Sequence, residues 1–152
     1  DRRVLLIDCD LRRPSVHQAL GLEPRGGLGE VLTGKVSFSE VVMPVEGHNL
    51  EILGVRSRPA NPSELLASRH MTSLLEEVCQ RYDRVILDTP AALGLPDAKI
   101  VAEQCDGLVM VMRAGVTPVN DAMATLELLD RRRVLGVALN DAVAKPAGYR
   151  YA

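Results

Sequence analysis

The sequence predicts an α/β domain with a doubly wound, mostly parallel sheet that carries helices on both faces. Five short runs rich in Val, Ile and Leu have the length and composition of strands buried inside a parallel sheet. The segments between them place apolar residues at helical spacing, and helices between strands imply parallel crossover connections. A length of 152 residues, with 47% hydrophobic and 25% charged residues, fits one globular domain with an aliphatic core.

The predicted strands are the apolar runs themselves. In chain order they are Arg3 to Asp8, Leu50 to Val55, Arg84 to Asp88, Gly107 to Arg113 and Val134 to Leu139. Three short helices are predicted between the first two strands, at Ser15 to Leu20, Leu28 to Leu32 and Phe38 to Val42.

One long helix, Pro62 to Tyr82, is predicted between the second and third strands. Asn61 is a suitable N-cap, proline is favoured in the first turn, and Glu64 completes the pattern of a capping box. Met71 and Val78 belong to a row of apolar residues at helical spacing, so this face is expected to pack against the sheet.

Two further helices, Pro96 to Gln104 and Pro118 to Arg131, are predicted in the last third of the chain. Thr117 and Pro118 give the later one the same kind of start signal as the long helix. Val119, Ala122 and Met123 lie at helical spacing and are expected to face the core.

The composition excludes several classes of function. Aromatic residues make up 3% of the chain, so a stacking platform for single-stranded nucleic acid is not expected, and a net charge of -2 gives no nucleic-acid footprint. Cys9, Cys79 and Cys105 are widely spaced, which fits neither a disulfide framework nor a zinc site and favours a reducing cytoplasm. No apolar run in the chain reaches membrane-spanning length.

The first strand, in VLLIDCDLRRP at residues 4 to 14, ends in two carboxylates, Asp8 and Asp10, followed by Arg12 and Arg13. Open α/β sheets bind their ligands beyond the carboxyl ends of the strands, so acids at this point are candidates for chemistry. The alternative is an Asx-type turn in which the two arginines neutralise the acids. This stretch alone leaves both interpretations open.

A second acidic strand end, RVILDTP at residues 84 to 90, places Asp88 after another apolar run. An apolar strand ending in Asp has the form of a Walker B element, whose carboxylate reaches Mg²⁺ beside the phosphates of a nucleotide. Asp8, Asp10 and Asp88 at neighbouring strand ends would repel one another, and a divalent cation is the usual reason to gather such acids. A Mg²⁺ site is therefore predicted at this edge of the sheet.

The segment GEVLTGKV, Gly29 to Val36, has the glycine and lysine spacing of a phosphate-binding loop, but we reject it as one. Val36 stands where the metal-binding hydroxyl belongs, and no strand precedes the segment. We predict instead that Gly34 is a helix C-cap and that Lys35 is exposed.

The chain closely resembles the bacterial tyrosine kinases (BY-kinases) of capsular and exopolysaccharide biosynthesis. The segments that carry the resemblance are, in chain order, VLLIDCDLRRPSVHQALGL, GLGEVLTG, ANPSELLAS, YDRVILDTPAALGLPDA, DGLVMVMRAG and VLGVALN. That family consists of deviant P-loop ATPases related to the ParA/MinD group. The resemblance identifies VLLIDCDLRRP as Walker A′ and RVILDTP as Walker B, and it places the family's Walker A loop before Asp1. We therefore expect residues 1–148 to form a partial P-loop kinase domain that is inactive without that loop, followed by a tail at 149–152.

The resemblance implies ATP and Mg²⁺ as cofactors and gives the three acids their roles. Asp8 and Asp10 would be the catalytic residues, with Asp8 accepting the proton of the tyrosine hydroxyl. Asp8, Asp10 and Asp88 would hold the metal.

Other residues receive roles with an open alternative. Arg12 and Arg13 would bind phosphates or a neighbouring subunit's tail, or else pair with local acids. Asn140 matches a position that contacts adenine in related ATPases, the alternative being a turn-forming Asn before Asp141. Asp97 also matches the family pattern, although a helix-cap role is equally compatible with its position.

The chain ends in GYRYA, and the resemblance implies that Tyr149 and Tyr151 are phosphoacceptors modified in trans within a homo-oligomer. The alternative is a plain polar tail. The resemblance also implies a membrane polysaccharide chain-length regulator as activator, fused or separate, no nucleic-acid partner, and a cytoplasmic location at the inner face of the cell membrane. We expect an ATP-dependent tyrosine autokinase that regulates polysaccharide synthesis and export. The alternatives are a ParA/MinD-like switch ATPase without kinase activity and a non-catalytic partner of the same fold.

Overall fold

The computed structural model describes residues 2–143 of the chain, in two compact units that divide between Gln104 and Cys105. The first unit contains, in order, β1 (Val4–Asp8), α1 (Val16–Ala19), α2 (Leu28–Leu32), α3 (Phe38–Val41), β2 (Met43–Pro44), β3 (Leu50–Leu53), α4 (Pro62–Leu66), α5 (Arg69–Arg81), β4 (Arg84–Asp88) and α6 (Asp97–Ala102). The second contains β5 (Leu108–Arg113), α7 (Val119–Leu128), a 3-10 turn (Arg131–Arg133) and β6 (Val134–Asn140).

The sheet of the first unit has the strand order β2-β3-β1-β4. β1 lies between β3 and β4 and is parallel to both, and Leu6 is in register with Ile52 on one side and with Ile86 on the other. β2 pairs antiparallel with β3 at the edge and had not been predicted from the sequence. In the second unit, β5 and β6 form a parallel pair. The predicted α/β class with mostly parallel strands is confirmed.

The interior of the first unit is aliphatic, as the composition predicted. Leu5 and Ile7 of β1 and Leu53 of β3 are fully buried, and α5 contributes Met71 and Val78 to the same interior. Burying each such side chain contributes roughly 1.5–3 kcal/mol, so this core holds the carboxyl end of β1 in place.

The predicted helix from Pro62 to Tyr82 is wrong as a single element. The structure divides it into α4 and α5 at Ala67 and Ser68. The Ser68 hydroxyl donates to the carbonyl of Leu65 (2.7 Å) and accepts from the backbone N–H of Met71 (3.3 Å), so it closes one helix and caps the next. The capping box predicted at Asn61 is not formed, because the Asn61 side chain makes no cap hydrogen bond.

Gly34 behaves as predicted from the sequence. It follows α2 with a φ of 70°, and the N–H groups of Gly34 and Lys35 donate to the carbonyls of Val31 and Glu30, each at 3.0 Å. These bonds close a helix C-terminus with the left-handed residue that glycine supplies. Lys35 is exposed, so the segment is a helix cap and the rejection of a phosphate-binding loop here is confirmed.

In the second unit, Ala122 of α7 is buried, but Val119 and Met123 are 77% and 48% exposed. The expectation that all three side chains face a core is therefore wrong for Val119 and Met123. Within residues 2–143, no helix combines the length and apolar character needed to cross a membrane.

Candidate active site

Asp8 and Asp88 end the adjacent strands β1 and β4 at the same edge of the sheet. The two residues are register partners, and in-register neighbours on parallel strands project their side chains from the same face. The backbone N–H of Cys9 donates to the carbonyl of Asp88 (2.8 Å), so the pairing extends past the end of β1. The structure thus brings together two of the predicted acids, with Asp10 two residues beyond Asp8.

The Asp8 carboxylate is fully buried and accepts three backbone hydrogen bonds. Its Oδ1 accepts from the N–H of Asp10 (3.0 Å), and its Oδ2 accepts from the N–H groups of Ser15 and Val16 (both 3.1 Å). Burial raises the pKa of Asp8, the three N–H donors lower it in part, and the charge of Asp10 raises it again. Asp8 therefore binds a proton more tightly than an exposed aspartate does. Its carboxylate also connects the end of β1 to the start of α1.

Asp10 forms the Asx-type turn that the sequence left as an alternative. Its Oδ1 accepts from the N–H groups of Arg12 (3.1 Å) and Arg13 (2.8 Å), while its Oδ2 accepts no hydrogen bond within residues 2–143. The turn occupies one carboxylate oxygen and leaves the other for a ligand. Turn formation and ligand binding are thus compatible at Asp10.

Asp88 is exposed, and its environment is electrostatically crowded. Desolvation raises its pKa, and the negative charges of Asp8 and Asp10 raise it further. In the part of the chain that the structure describes, no three or more His, Cys, Asp or Glu side chains are grouped so that they could hold a metal ion by themselves. Mg²⁺ is usually held by one or two carboxylates together with waters and substrate phosphates, and the oxygens of Asp88 and Asp10 fit that mode.

Arg12 is held by a buried acid. Its Nε donates to Oδ2 of Asp97 (2.6 Å), and its Nη2 donates to the hydroxyl of Ser63 (3.1 Å). Ser63 in turn donates to Oδ1 of Asp97, whose side chain is 1% exposed. Arg12 therefore forms an ion pair, but with Asp97, which is 85 positions away in the sequence, and not with the local acids of the predicted alternative. Asp97 makes no side-chain cap of α6, and Ser63 was missed because the ANPSELLAS motif gave no sign of its hydroxyl contacts.

The remaining predicted residues are placed separately. Arg13 is exposed, and its guanidinium has no carboxylate within 4.0 Å among residues 2–143. Asn140 is the exposed last residue of β6 in the second unit, and the left-handed turn residue after it is Asp141, with a φ of 56°. Tyr149 and Tyr151 lie outside the described residues.

The comparisons with known proteins agree on one family. No family model matches the chain. Tyrosine-protein kinase YwqD of Bacillus subtilis is 39% identical over 99% of this chain, which spans 65% of that protein. CapB of Staphylococcus aureus is 30% identical over 98% of this chain, which spans 67% of it. The chain thus spans about two thirds of these two relatives, but only 21% of tyrosine-protein kinase Wzc of Salmonella typhimurium, which is 35% identical over 98% of this chain.

Solved structures give the same result. The kinase domain of VpsO matches with a TM-score of 0.88 and 32% identity, over 93% of this chain and 71% of that one. The septum site-determining protein MinD from Pyrococcus horikoshii, complexed with Mg-ADP, matches with a TM-score of 0.75 over 91% of this chain and 57% of that one. At 21% identity, the MinD match shows the shared fold alone. The relatives at 30% identity and above show more, and the chain belongs to the bacterial tyrosine kinases.

Proposed function

We propose that the chain is the catalytic region of an ATP-dependent protein-tyrosine kinase that regulates capsular or exopolysaccharide synthesis and export. The γ-phosphate of Mg-ATP passes to a tyrosine hydroxyl, and the acceptors are Tyr149 and Tyr151. The observation that carries the proposal is the in-register pair of acids, Asp8 and Asp88, at one sheet edge of a chain that belongs to this family.

In this proposal Asp8 accepts the proton of the tyrosine hydroxyl. A base works best when its pKa approaches the working pH, and burial shifts the pKa of Asp8 in that direction. Phosphoryl transfer otherwise depends on positioning and on neutralising phosphate charge. The buried backbone hydrogen bonds of Asp8 supply the positioning, because they hold its side chain in one orientation.

Mg²⁺ neutralises phosphate charge when it is bound, and Asp8, Asp10 and Asp88 are the residues that would hold it. Desolvation is the main cause that raises the pKa of Asp88, and repulsion from Asp8 and Asp10 adds to it. This repulsion supports the assignment, because a cation at this edge would relieve it. Asn140 is proposed to contact the adenine base. Arg13, which has no acid to neutralise it in the described structure, is proposed to contact phosphate or the acceptor tail.

The test is incubation of the full-length gene product with Mg-ATP, followed by mass spectrometry of the phosphorylated residues. We expect phosphate on Tyr149 or Tyr151 in the unaltered protein and its loss in Asp8→Asn. The matched control is Asp83→Asn, which neutralises an exposed acid at the opposite end of β4 and is expected to leave phosphorylation unchanged. ATP hydrolysis without any modified tyrosine would favour a switch ATPase of the ParA/MinD kind instead.

The partners are proposed on the same basis. Phosphorylation in trans requires that copies of the chain assemble, and a membrane chain-length regulator would place them at the inner face of the membrane. Co-expression with such a regulator is expected to increase tyrosine phosphorylation, and an unchanged level would count against this activator.

A further inference from the structure

A three-residue cluster around a buried acid connects the loop after β1 with α4 and α6. It consists of Arg12, Ser63 and Asp97, which come from the loop after β1, from α4 and from α6. Arg12 reaches both partners, at 2.6 Å to Asp97 and 3.1 Å to Ser63, and Ser63 completes the triangle by donating to Asp97. We name these three residues the latch.

The latch is a demanding arrangement because Asp97 is 1% exposed. A buried carboxylate is tolerated when it is paired and hydrogen-bonded, and Arg12 is its ion-pair partner within residues 2–143. The Arg12 hydrogen bond lowers the pKa of Asp97, so the acid remains ionised at neutral pH. Removing either charge would leave the other without its partner.

The position of the latch in the chain connects it to the acids. Arg12 gives its side chain to Asp97 while its backbone N–H donates to Asp10, so side chain and backbone fix the loop from two sides. The same loop returns to Asp8 through the N–H groups of Ser15 and Val16. Asp97 begins α6, the first helix after the loop that follows Asp88.

Direct binding of phosphate by Arg12 is the competing interpretation. Its Nε and Nη2 are already used by Asp97 and Ser63, and these are two of the three nitrogens with which a guanidinium forms its paired contacts. Asp97 and Ser63 hold the Nε side of the guanidinium, and the hydrogens on Nη1 are the ones left for a phosphate. The contacts that the Arg12 side chain makes within residues 2–143 are therefore those of a positioning residue.

We propose that the Arg12–Ser63–Asp97 latch holds the loop at residues 9–14 against α6, so that Arg12 and Asp97 act as positioning residues for Asp8 and Asp10. The inference rests on the proposed kinase function for its catalytic consequence. Its structural part, the fixing of the loop, stands separately.

The first test measures hydrogen exchange in the full-length protein at the amides of Arg12, Arg13, Ser15 and Val16, which donate to Asp8 or Asp10. In Asp97→Asn we expect exchange at these four amides to accelerate by at least about tenfold. The matched control is Glu77→Gln, which neutralises the acid of an exposed ion pair with Arg81 (2.8 Å) and is expected to change none of them. Unchanged exchange in Asp97→Asn would overturn the latch whether or not the protein is a kinase.

The second test separates positioning from ligand binding by tyrosine-phosphorylation kinetics of the same variants. A misplaced loop is expected to lower kcat by about tenfold to a hundredfold while KM for Mg-ATP stays within about threefold. Arg12→Lys keeps one charge toward Asp97 but cannot bridge to Ser63, so partial activity between wild type and Arg12→Gln is expected. A raised KM with unchanged kcat in Arg12→Gln would make Arg12 a phosphate ligand and overturn the proposal.

The two tests also separate failures of the two proposals. A wild-type protein that modifies no tyrosine refutes the proposed function, and the exchange experiment then still decides the latch. If Asp97→Asn does not fold, Arg12→Lys gives the decisive comparison. If the loop amides of Arg12→Lys exchange as slowly as in the wild type and its kcat is unchanged, the proposal that Arg12 must bridge Asp97 and Ser63 is refuted.

Discussion

Asp8 and Asp10 have the same side chain, but neutralising them should have different effects on stability. Asp8 uses both carboxylate oxygens, one for the N–H of Asp10 and the other for the N–H groups of Ser15 and Val16. Asp10 uses only Oδ1, which accepts from two backbone N–H groups. An asparagine keeps one carbonyl oxygen and replaces the other with an NH₂ group, so it can reproduce the bonds of Asp10 but not those of Asp8.

The magnitude follows from the donors left without a partner. With its oxygen toward Ser15 and Val16, an asparagine at position 8 turns its NH₂ toward the N–H of Asp10 and leaves one donor unsatisfied. Such a buried donor costs about 1–3 kcal/mol. The neutral side chain also avoids the burial penalty that raises the pKa of Asp8, which offsets part of the loss. We expect Asp8→Asn to lower the free energy of unfolding by about 1–2 kcal/mol, and Asp10→Asn to change it by less than about 0.5 kcal/mol.

Urea denaturation of both variants measures this difference directly. Equal m-values would show that the unfolded states are comparable, so the shift in midpoint reports stability. The reasoning is refuted if the two variants are equally stable, or if Asp10→Asn is the weaker protein. Confirmation would matter for the kinase experiment, because activity lost in Asp8→Asn would then include a structural part that has to be measured before the remainder is assigned to chemistry.

Three further predictions test the fold around the site. Gly27→Ala should destabilise the protein by about 1–3 kcal/mol, because the new Cβ would lie 2.5 Å from the carbonyl oxygen of Gly54, just beyond β3. Gly29→Ala is the matched control: its Cβ would have no atom closer than 3.7 Å, and the alanine should stabilise α2 by about 0.5–1 kcal/mol. Thermal unfolding measures both changes. Ser68→Ala should cost about 1 kcal/mol through loss of the α5 cap, with Ser68→Asp as the capping control, and an unchanged melting temperature would contradict it. Asp88 has a pKa that is raised in the folded state, so its ionisation costs stability as the pH rises from the unfolded value of 3.8 through the folded one. Asp88→Asn should therefore be more stable than wild type at pH 7 and nearly equal to it at pH 3, and a less stable variant at pH 7 would contradict a raised pKa of Asp88 in the folded protein.

The strand ends of the site could be predicted from the sequence because their signal is local. β1 and β4 end at Asp8 and Asp88, where an apolar run meets a charged residue that the sheet interior cannot accept. Their adjacency was expected from the acids themselves, because a divalent cation is the usual reason to gather carboxylates at neighbouring strand ends. For the loop after β1, the sequence left a turn and a functional site as alternatives. The structure shows that Asp8 and Asp10 both accept backbone hydrogen bonds there, as in the turn.

Long-range partners could not be predicted in the same way. Arg12 and Asp97 are separated by 85 positions and Ser63 and Asp97 by 34. No local pattern links them, so the sequence could not identify which acid Arg12 would pair with. The break at Ser68 was missed for a related reason, since apolar spacing continues across it while a single hydroxyl decides where one helix ends and the next begins. Periodicity likewise gave α7 an apolar face without showing what that face contacts, and Val119 remains 77% exposed.

The hydrogen bonds of Asp8 also indicate which of its atoms would take a proton. Oδ2 accepts two N–H donors, which occupy both of its lone pairs, whereas Oδ1 accepts one and keeps a lone pair free. Protonation at Oδ1 would therefore preserve the two bonds that connect Asp8 to the start of α1. The same carboxylate can then gain a proton and keep its loop in place, because the structural bonds are concentrated on one oxygen. On the proposed function, Oδ1 is the oxygen of Asp8 with a lone pair left for the tyrosine proton, and burial, which raises the pKa of Asp8, would favour that transfer.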